Sequence, residues 1–106
     1  MQIDATRVAG PQEIVLEYLL ANKFGVRVCP HAGGVGLCEA VRHFAMSDYL
    51  AVSGQWDDRV IEYVDNQHEY FVHPTEIVNG RYKAPTAPGS GVDMKLEAAE
   101  RCLYKG

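Results

Sequence analysis

Three residues of this 106-residue chain have types and positions that suit proton transfer. Asp4 ends a short predicted strand, and His31 directly follows the next predicted strand, Val26 to Pro30. The carboxyl ends of adjacent parallel strands meet at one edge of a sheet, so we expect these two side chains to be neighbours. A carboxylate beside an imidazole selects one tautomer and stabilises the imidazolium. The alternative is that Asp4 caps a loop and His31 bonds a backbone carbonyl.

Glu62 is the third candidate. It lies in the mostly apolar run Arg59 to Asp65, just after the predicted strand Tyr49 to Ser53. Burial among apolar neighbours would raise the pKa of this carboxyl group, as an acid or a hydrogen-bond donor to a developing oxyanion requires. The alternative is an exposed helix glutamate.

A glycine-rich loop, Gly33-Gly34-Val35-Gly36, precedes a predicted helix and could present backbone N–H groups to an anion. It lacks the third glycine of a dinucleotide-binding loop and the Gly-Lys-Ser/Thr of a P-loop. We therefore favour a tight turn that clears space beside His31.

Cysteines and histidines form a further candidate site, for zinc, at Cys29, His31, Cys38 and His43. Their spacing matches no common zinc motif, and buried free thiols are the preferred interpretation. His68 and His73 are expected to be surface residues at a helix end.

The predicted elements explain how the candidates would meet. Apolar residues recur at helical spacing from Pro11 to a capping glycine, Gly25, and a second helix is predicted over Leu37 to Ser47. With strands before, between and after them, these helices predict βαβ units and a parallel sheet. Later, Asn79-Gly80 predicts a hairpin, and Met94 to Tyr104 a short amphipathic helix.

Composition narrows the function classes. The chain has 10 basic and 14 acidic residues, a net charge of -4 and 47% hydrophobic residues. It carries no basic stripe for nucleic acid and no apolar run near the roughly 20 residues that span a bilayer, so neither partner is expected. The N-terminus does not resemble a signal peptide and the cysteine count is three, which favours the reducing cytoplasm.

Three segments carry a resemblance to a known family: Gln2 to Gly10, Cys29 to Glu39 and Arg59 to Asp65. They resemble the C-terminal part of the L-fuconate dehydratases, sugar-acid dehydratases of the enolase superfamily, and the resemblance covers nearly the whole chain. It implies an α/β fold: residues 1–73 would be the last part of a (β/α)8 barrel, with about three parallel strands. Residues 74–106 would form a hairpin and helix that return to the capping domain.

The resemblance also implies roles for the candidates. Asp4, His31 and Glu62 match the residues that the sixth, seventh and eighth barrel strands deliver. His31, oriented by Asp4, would exchange a proton with an aldonic acid, and Glu62 would hydrogen-bond the substrate carboxylate as it becomes an enediolate. The family uses Mg2+ on that carboxylate, but its metal ligands and its lysine acid/base come from earlier strands that are absent here. We therefore expect no metal to bind to this chain alone.

Two hypotheses follow. The chain is either part of a Mg2+-dependent hydro-lyase that converts L-fuconate to 2-keto-3-deoxy-L-fuconate and water, or a non-catalytic domain that folds or self-associates without turnover. In both, open sheet edges and the apolar residues Leu16, Leu19, Leu20 and Phe24 predict a homo-oligomer.

Overall fold

The sheet that carries two of the candidates consists of two short parallel strands, β1 (Gln2–Ile3) and β2 (Cys29–Pro30). The computed structural model describes all residues, 1–106. Gln2 lies opposite Cys29 and Ile3 opposite Pro30. A helix, α1 (Pro11–Lys23), makes the connection, so the predicted βαβ unit is confirmed.

Helix α1 packs on this sheet through one side. It starts at Pro11, whose fixed φ suits a first turn, and Gly25 follows its end with a φ of 65°. Ile14, Tyr18 and Ala21 recur at helical spacing and form a core cluster with Ile3 and Val28. Each larger apolar side chain buried in this way contributes about 1.5–3 kcal/mol. The cluster therefore fixes β1 against β2, and with them the edge from which Asp4 and His31 project.

A second helix, α2 (Leu37–Ser47), matches its predicted limits. Gly36 precedes it with a φ of 73°, a left-handed conformation that glycine adopts without steric cost. Leu37, Cys38 and Val41 pack with Ala32 in a second core cluster. This packing holds the turn after His31 against the helix.

The prediction of a third strand over Tyr49 to Ser53 is wrong. These residues extend α2 as a π-helical turn, Asp48–Ser53, in which the Gly54 N–H donates to the Tyr49 carbonyl. The segment directly continues α2, and its apolar run is too short to distinguish strand from helix. The chain next to β2 is instead the segment around Glu62, whose N–H donates to the Pro30 carbonyl. The sheet thus has two parallel strands, and not three.

After the segment that carries Glu62, the chain forms a 3-10 turn, His68–Tyr70. The predicted hairpin is present as β3 (Ile77–Val78) and β4 (Arg81–Tyr82), with positive φ at Asn79 and Gly80. These two positive values are those of the two-residue turn that best matches the twist of paired strands. The last helix, α3 (Leu96–Arg101), is shorter than predicted. None of the helices has the length and apolar character needed to cross a membrane.

Candidate active site

The structure brings the three sequence-predicted residues together at one edge of the parallel sheet. Asp4 follows β1, His31 follows β2, and Glu62 lies on the segment that runs beside β2. The backbone ladder places them, because the His31 N–H donates to the Ile3 carbonyl at 2.8 Å and the Glu62 N–H to the Pro30 carbonyl at 3.2 Å. All three side chains keep part of their surface open to solvent, so an incoming molecule can reach them.

The shortest contact in the group joins His31 and Glu62. His31 Nδ1 lies 2.6 Å from Glu62 Oε2, and the same oxygen accepts the Ala32 N–H at 2.7 Å. The carboxylate oxygen can only accept, so Nδ1 carries a proton. Nε2 is left as the ring nitrogen free for exchange with a bound molecule.

Asp4 is held by its own loop. Its Oδ1 accepts the Thr6 N–H at 2.9 Å and the Thr6 hydroxyl at 2.7 Å, and its Oδ2 accepts from Arg7 Nε at 2.9 Å. The Thr6 bonds, with the nearby His31 and Arg7, lower the pKa of Asp4 below its usual value. Asp4 Oδ2 is 3.8 Å from His31 Nε2, which is too long for a hydrogen bond. Asp4 is therefore a neighbour of His31, as expected, but it makes no hydrogen bond to the ring and instead supplies charge next to Nε2.

The expectation that burial raises the pKa of Glu62 is wrong. The side chain is 33% exposed, and the bond from the Ala32 N–H has the largest effect on the pKa of this carboxyl group, which it lowers. Desolvation acts in the opposite direction, but with the contributions of His31 the pKa stays below its usual value. Bonds donated to the charged form favour ionisation. Glu62 therefore acts here as an acceptor that orients His31.

Gly33 lets the imidazole lie over the backbone. A Cβ atom at Gly33 would come within 2.6 Å of His31 Cε1, closer than real Cβ contacts. At Gly34 the nearest atom would be a methyl carbon of Leu37 at 2.9 Å, the flexible end of a side chain. The prediction of a turn that clears space beside His31 is confirmed.

The cysteines and histidines considered for zinc do not converge. Cys38 Sγ donates to the carbonyls of Ala32 and Val64, and His43 Nε2 is 2.9 Å from the Ser90 carbonyl. All three cysteines are free thiols. No group of three or more histidine, cysteine, aspartate or glutamate side chains is arranged to hold a metal ion.

A buried pair that sequence reasoning missed lies behind the site. Glu39 Oε1 is 2.8 Å from His68 Nδ1, and the two side chains are only 1% and 16% exposed. The expectation that His68 is a surface residue is therefore wrong, because Glu39 of α2 and the Val64 carbonyl enclose it. No local pattern marks this contact, since its partners are 29 residues apart.

One groove of the molecule lies away from the three candidates. It has a volume of about 690 Å³ and runs between α2, the Arg59 to Tyr63 segment and the β3–β4 hairpin. Asp4, His31 and Glu62 do not line it. We assign the site from its side-chain chemistry, because a volume without converging reactive groups does not define one.

Comparison with known proteins concerns the family of the whole chain. Residues 1–99 match the sequence profile described as enolase C-terminal domain-like. The chain is 45% identical over 105 residues to the L-galactonate dehydratase of Hypocrea jecorina, covering 99% of this chain and 23% of that protein. It is 48% identical to mitochondrial enolase superfamily member 1 of Xenopus laevis over 98 residues, which is 92% of this chain and 22% of that protein.

A solved structure shows the same fold. The crystal structure of human mitochondrial enolase superfamily member 1 superimposes with a TM-score of 0.91 at 45% identity, covering 97% of this chain and 23% of that one. The chain thus spans about a quarter of the length of the relatives that it matches. Profile, identity and superposition agree: the chain belongs to the enolase C-terminal domain-like family.

Proposed function

We propose that this chain forms one wall of a sugar-acid dehydratase active site. The observation that carries the proposal is the meeting of Asp4, His31 and Glu62 at one open sheet edge, with His31 bonded to Glu62 at 2.6 Å. The relative named L-galactonate dehydratase supports the substrate class. L-Fuconate is the 6-deoxy form of L-galactonate, so we propose a six-carbon aldonic acid of this configuration as substrate, with L-fuconate giving 2-keto-3-deoxy-L-fuconate and water.

His31 is the proposed proton-transfer group. Glu62 fixes the proton on Nδ1, so Nε2 faces a substrate bound at the edge. The ionised Asp4, 3.8 Å from Nε2, stabilises the imidazolium that forms when Nε2 takes a proton. A general acid or base placed in this way contributes about 10²–10⁴-fold to a rate.

Glu62 has two proposed tasks. In the free chain it orients His31, and beside a substrate it would hydrogen-bond the substrate carboxylate as that group becomes an enediolate. The second task needs a proton on Glu62, whose pKa is lowered by the Ala32 N–H and by His31. The proton on His31 Nδ1 would supply it, since Nδ1 lies 2.6 Å from Glu62 Oε2.

The residues of this chain do not by themselves fit a Mg2+ ion. Mg2+ prefers six oxygen ligands in octahedral geometry, whereas the oxygens of Asp4 and Glu62 accept bonds from N–H and O–H donors. His31 also lies between the two carboxylates. We therefore assign no metal ligand in residues 1–106.

The proposed domain limits follow from the resemblance. Residues 1–73 would be the last strands and helices of a barrel, and residues 74–106 the return to a capping domain. The tie between the two parts is direct, because the Tyr82 hydroxyl donates to the Glu62 carbonyl. The hairpin thus supports the segment that carries a site residue.

A chimera tests the function. The matching segment of the Hypocrea jecorina L-galactonate dehydratase is replaced by this chain, and dehydration of L-galactonate and L-fuconate is measured. We expect the chimera to dehydrate at least one of the two acids. The substitution His31→Asn should abolish this activity, whereas His73→Gln, a control at an exposed residue outside the site, should retain it. A folded, inactive chimera, or one that is unaffected by His31→Asn, would contradict the proposal. The 106-residue chain alone is expected to show no turnover.

A second candidate function is non-catalytic self-association, and the surface of α1 supports it. Leu16, Leu19 and Leu20 are 47–50% exposed and Phe24 is 72% exposed, in one contiguous part of the helix surface. Light scattering of the isolated chain should give a mass above 11.7 kDa, and Leu16→Lys with Leu20→Lys should reduce it. A sharp monomer mass at micromolar concentration would rule this function out.

A further inference from the structure

The buried Glu39–His68 pair has no part in the mechanism proposed above, although it lies next to the segment that carries Glu62. Glu39 Oε1 accepts both from His68 Nδ1 at 2.8 Å and from the Thr75 N–H at 3.1 Å. His68 Nε2 is 2.8 Å from the Val64 carbonyl oxygen. His68 thus joins helix α2 to the segment Arg59 to Asp65, which is called the Glu62 segment below. Through Glu39, the same helix also holds Thr75.

Both ring nitrogens of His68 face oxygens that accept hydrogen bonds. Only the imidazolium can donate from both nitrogens at once. Burial alone would lower the pKa of His68, but the bonds to Glu39 and Val64 outweigh it and leave this pKa raised. Burial likewise acts to raise the pKa of Glu39, and the bonds from His68 and Thr75 outweigh it and leave that pKa lowered. The geometry and the direction of both pKa shifts therefore favour the ionised pair.

The charged and titratable groups around the His68 ring come from two elements. Glu39 faces it from α2. From the Glu62 segment, Asp65 acts on it electrostatically, and the Tyr63 ring stacks on it at 5.4 Å with an interplanar angle of 7°. Two cations bond neighbouring backbone, since Arg42 Nε donates to the Glu39 carbonyl at 3.1 Å and Lys95 Nζ to the Glu69 carbonyl at 2.9 Å. The charges that raise the pKa of the ring are those of Glu39 and Asp65.

The Tyr82 hydroxyl holds the Glu62 carbonyl from the hairpin, and the rest of the Glu62 segment is sparsely paired. Its backbone makes one ladder bond to β2, from the Glu62 N–H to the Pro30 carbonyl at 3.2 Å. The Val64 carbonyl is held by His68 and, more weakly, by Cys38 Sγ at 3.9 Å. The side chain of Glu62 must stay in place for Oε2 to meet both His31 and Ala32.

We propose that His68, as an imidazolium held by Glu39, is a positioning residue that sets the place of Glu62 beside His31. The inference rests on the proposed function insofar as Glu62 matters for catalysis, but the placement itself is a property of the chain. When the pH rises through the folded-state pKa of His68, the ring loses one of its two N–H protons. Either the Val64 carbonyl or Glu39 then loses its hydrogen-bond donor. The Glu62 segment then loosens, and the bond from the Ala32 N–H to Glu62 lengthens.

The test is an NMR titration of the 106-residue chain. The Ala32 amide proton reports the bond to Glu62, and the Cε1 protons of His31 and His68 report each ring. His31 touches Glu62 directly, so its own titration also moves the Ala32 signal. We expect Ala32 to show two steps, one with the midpoint of each histidine. His68→Gln should remove the step that belongs to His68 and keep the other, while His73→Gln should leave both.

Two results would overturn the inference: an Ala32 signal that follows His31 alone in the native chain, or an unchanged two-step curve in His68→Gln. If His68→Gln does not fold, the titration of His31→Asn provides the test. In that variant the remaining step of the Ala32 signal must coincide with the titration of His68. A merely structural role would lower the melting temperature without producing that step. The NMR titration does not measure turnover. An inactive chimera would therefore contradict the proposed function without changing the conclusion about His68.

Discussion

The chain holds two histidine–carboxylate pairs of similar length in different surroundings. His31 and Glu62 are 2.6 Å apart and each about one third exposed, whereas His68 and Glu39 are 2.8 Å apart, with Glu39 only 1% exposed. The exposed pair leaves His31 Nε2 without a hydrogen-bond partner, while the buried pair uses both ring nitrogens. A histidine–carboxylate contact is therefore suited to proton exchange when one ring nitrogen has no hydrogen-bond partner. When both ring nitrogens are bonded, the same contact holds segments of the chain together.

The largest effect that separates the pairs is expected on turnover in the chimera. His31→Asn should lower kcat by about 10²–10⁴-fold, because it removes the proton-transfer group. His68→Gln should lower it by about tenfold, the size of effect expected when a support behind a reacting group is lost. Steady-state kinetics on L-galactonate measures both. Equal losses from the two substitutions would mean that the pairs do not differ in role.

The free energy of unfolding should depend more on the buried pair than on the exposed pair, which is the reverse of the order expected for turnover. Glu39→Gln removes the charge of a fully buried carboxylate that faces the partly buried His68, and removing one partner of such a pair costs about 3 kcal/mol. Glu62→Gln should cost clearly less, because water replaces the lost interaction at the exposed edge. Urea unfolding of the 106-residue chain, followed by circular dichroism, gives both values. A larger loss for Glu62→Gln would reverse the assignment.

The pH dependence of stability should come mainly from the buried pair. The folded pKa of His68 is raised, so its contribution is fully present below the unfolded value, about 6.5, and is lost as the pH rises through the folded value. The folded pKa of Glu39 is lowered, so its contribution is present above the unfolded value and lost as the pH falls through the folded one. Melting temperatures should therefore be highest between these limits, and His68→Gln should remove the decline on the alkaline side. An alkaline decline that persists in that variant would contradict the prediction.

The smallest effect should come from a third ion pair that is exposed at both ends. Arg27 and Asp58 are 3.1 Å apart, with side chains 72% and 71% exposed. Asp58→Asn should change the free energy of unfolding by less than about 0.5 kcal/mol, as is common for surface pairs. Asparagine also tolerates the positive φ of 60° at this position. Urea unfolding measures this change. A loss of more than about 1 kcal/mol would show that the contribution of an ion pair to stability does not follow its exposure.

Local signals in the sequence were sufficient for much of the fold. Proline and glycine at the two ends predict α1, and Asn79-Gly80 predicts the hairpin. The order of β1, α1 and β2 predicts the parallel pair, and hence the meeting of Asp4 and His31. Each of these features is encoded by neighbouring residues or by one chain crossover, so a single sequence carries it.

Contacts that depend on distant packing could not be predicted in this way. The Tyr49 to Ser53 run suits a strand or a helix, and its continuity with α2 decides the outcome. The ionised state of Glu62 depends on the Ala32 N–H, which lies 30 residues away. The Glu39–His68 pair likewise forms only when α2 meets the C-terminal part.

The contact between Gly33 and the His31 ring has a consequence for mutational tolerance. A side chain at position 33 would meet a rigid ring, which can escape only by turning away from Glu62, whereas a side chain at position 34 would meet only a mobile methyl group of Leu37. A saturation library selected for folding should therefore accept substitutions at both positions, because the displaced ring can enter solvent. The same library selected for turnover in the chimera should retain only glycine at position 33.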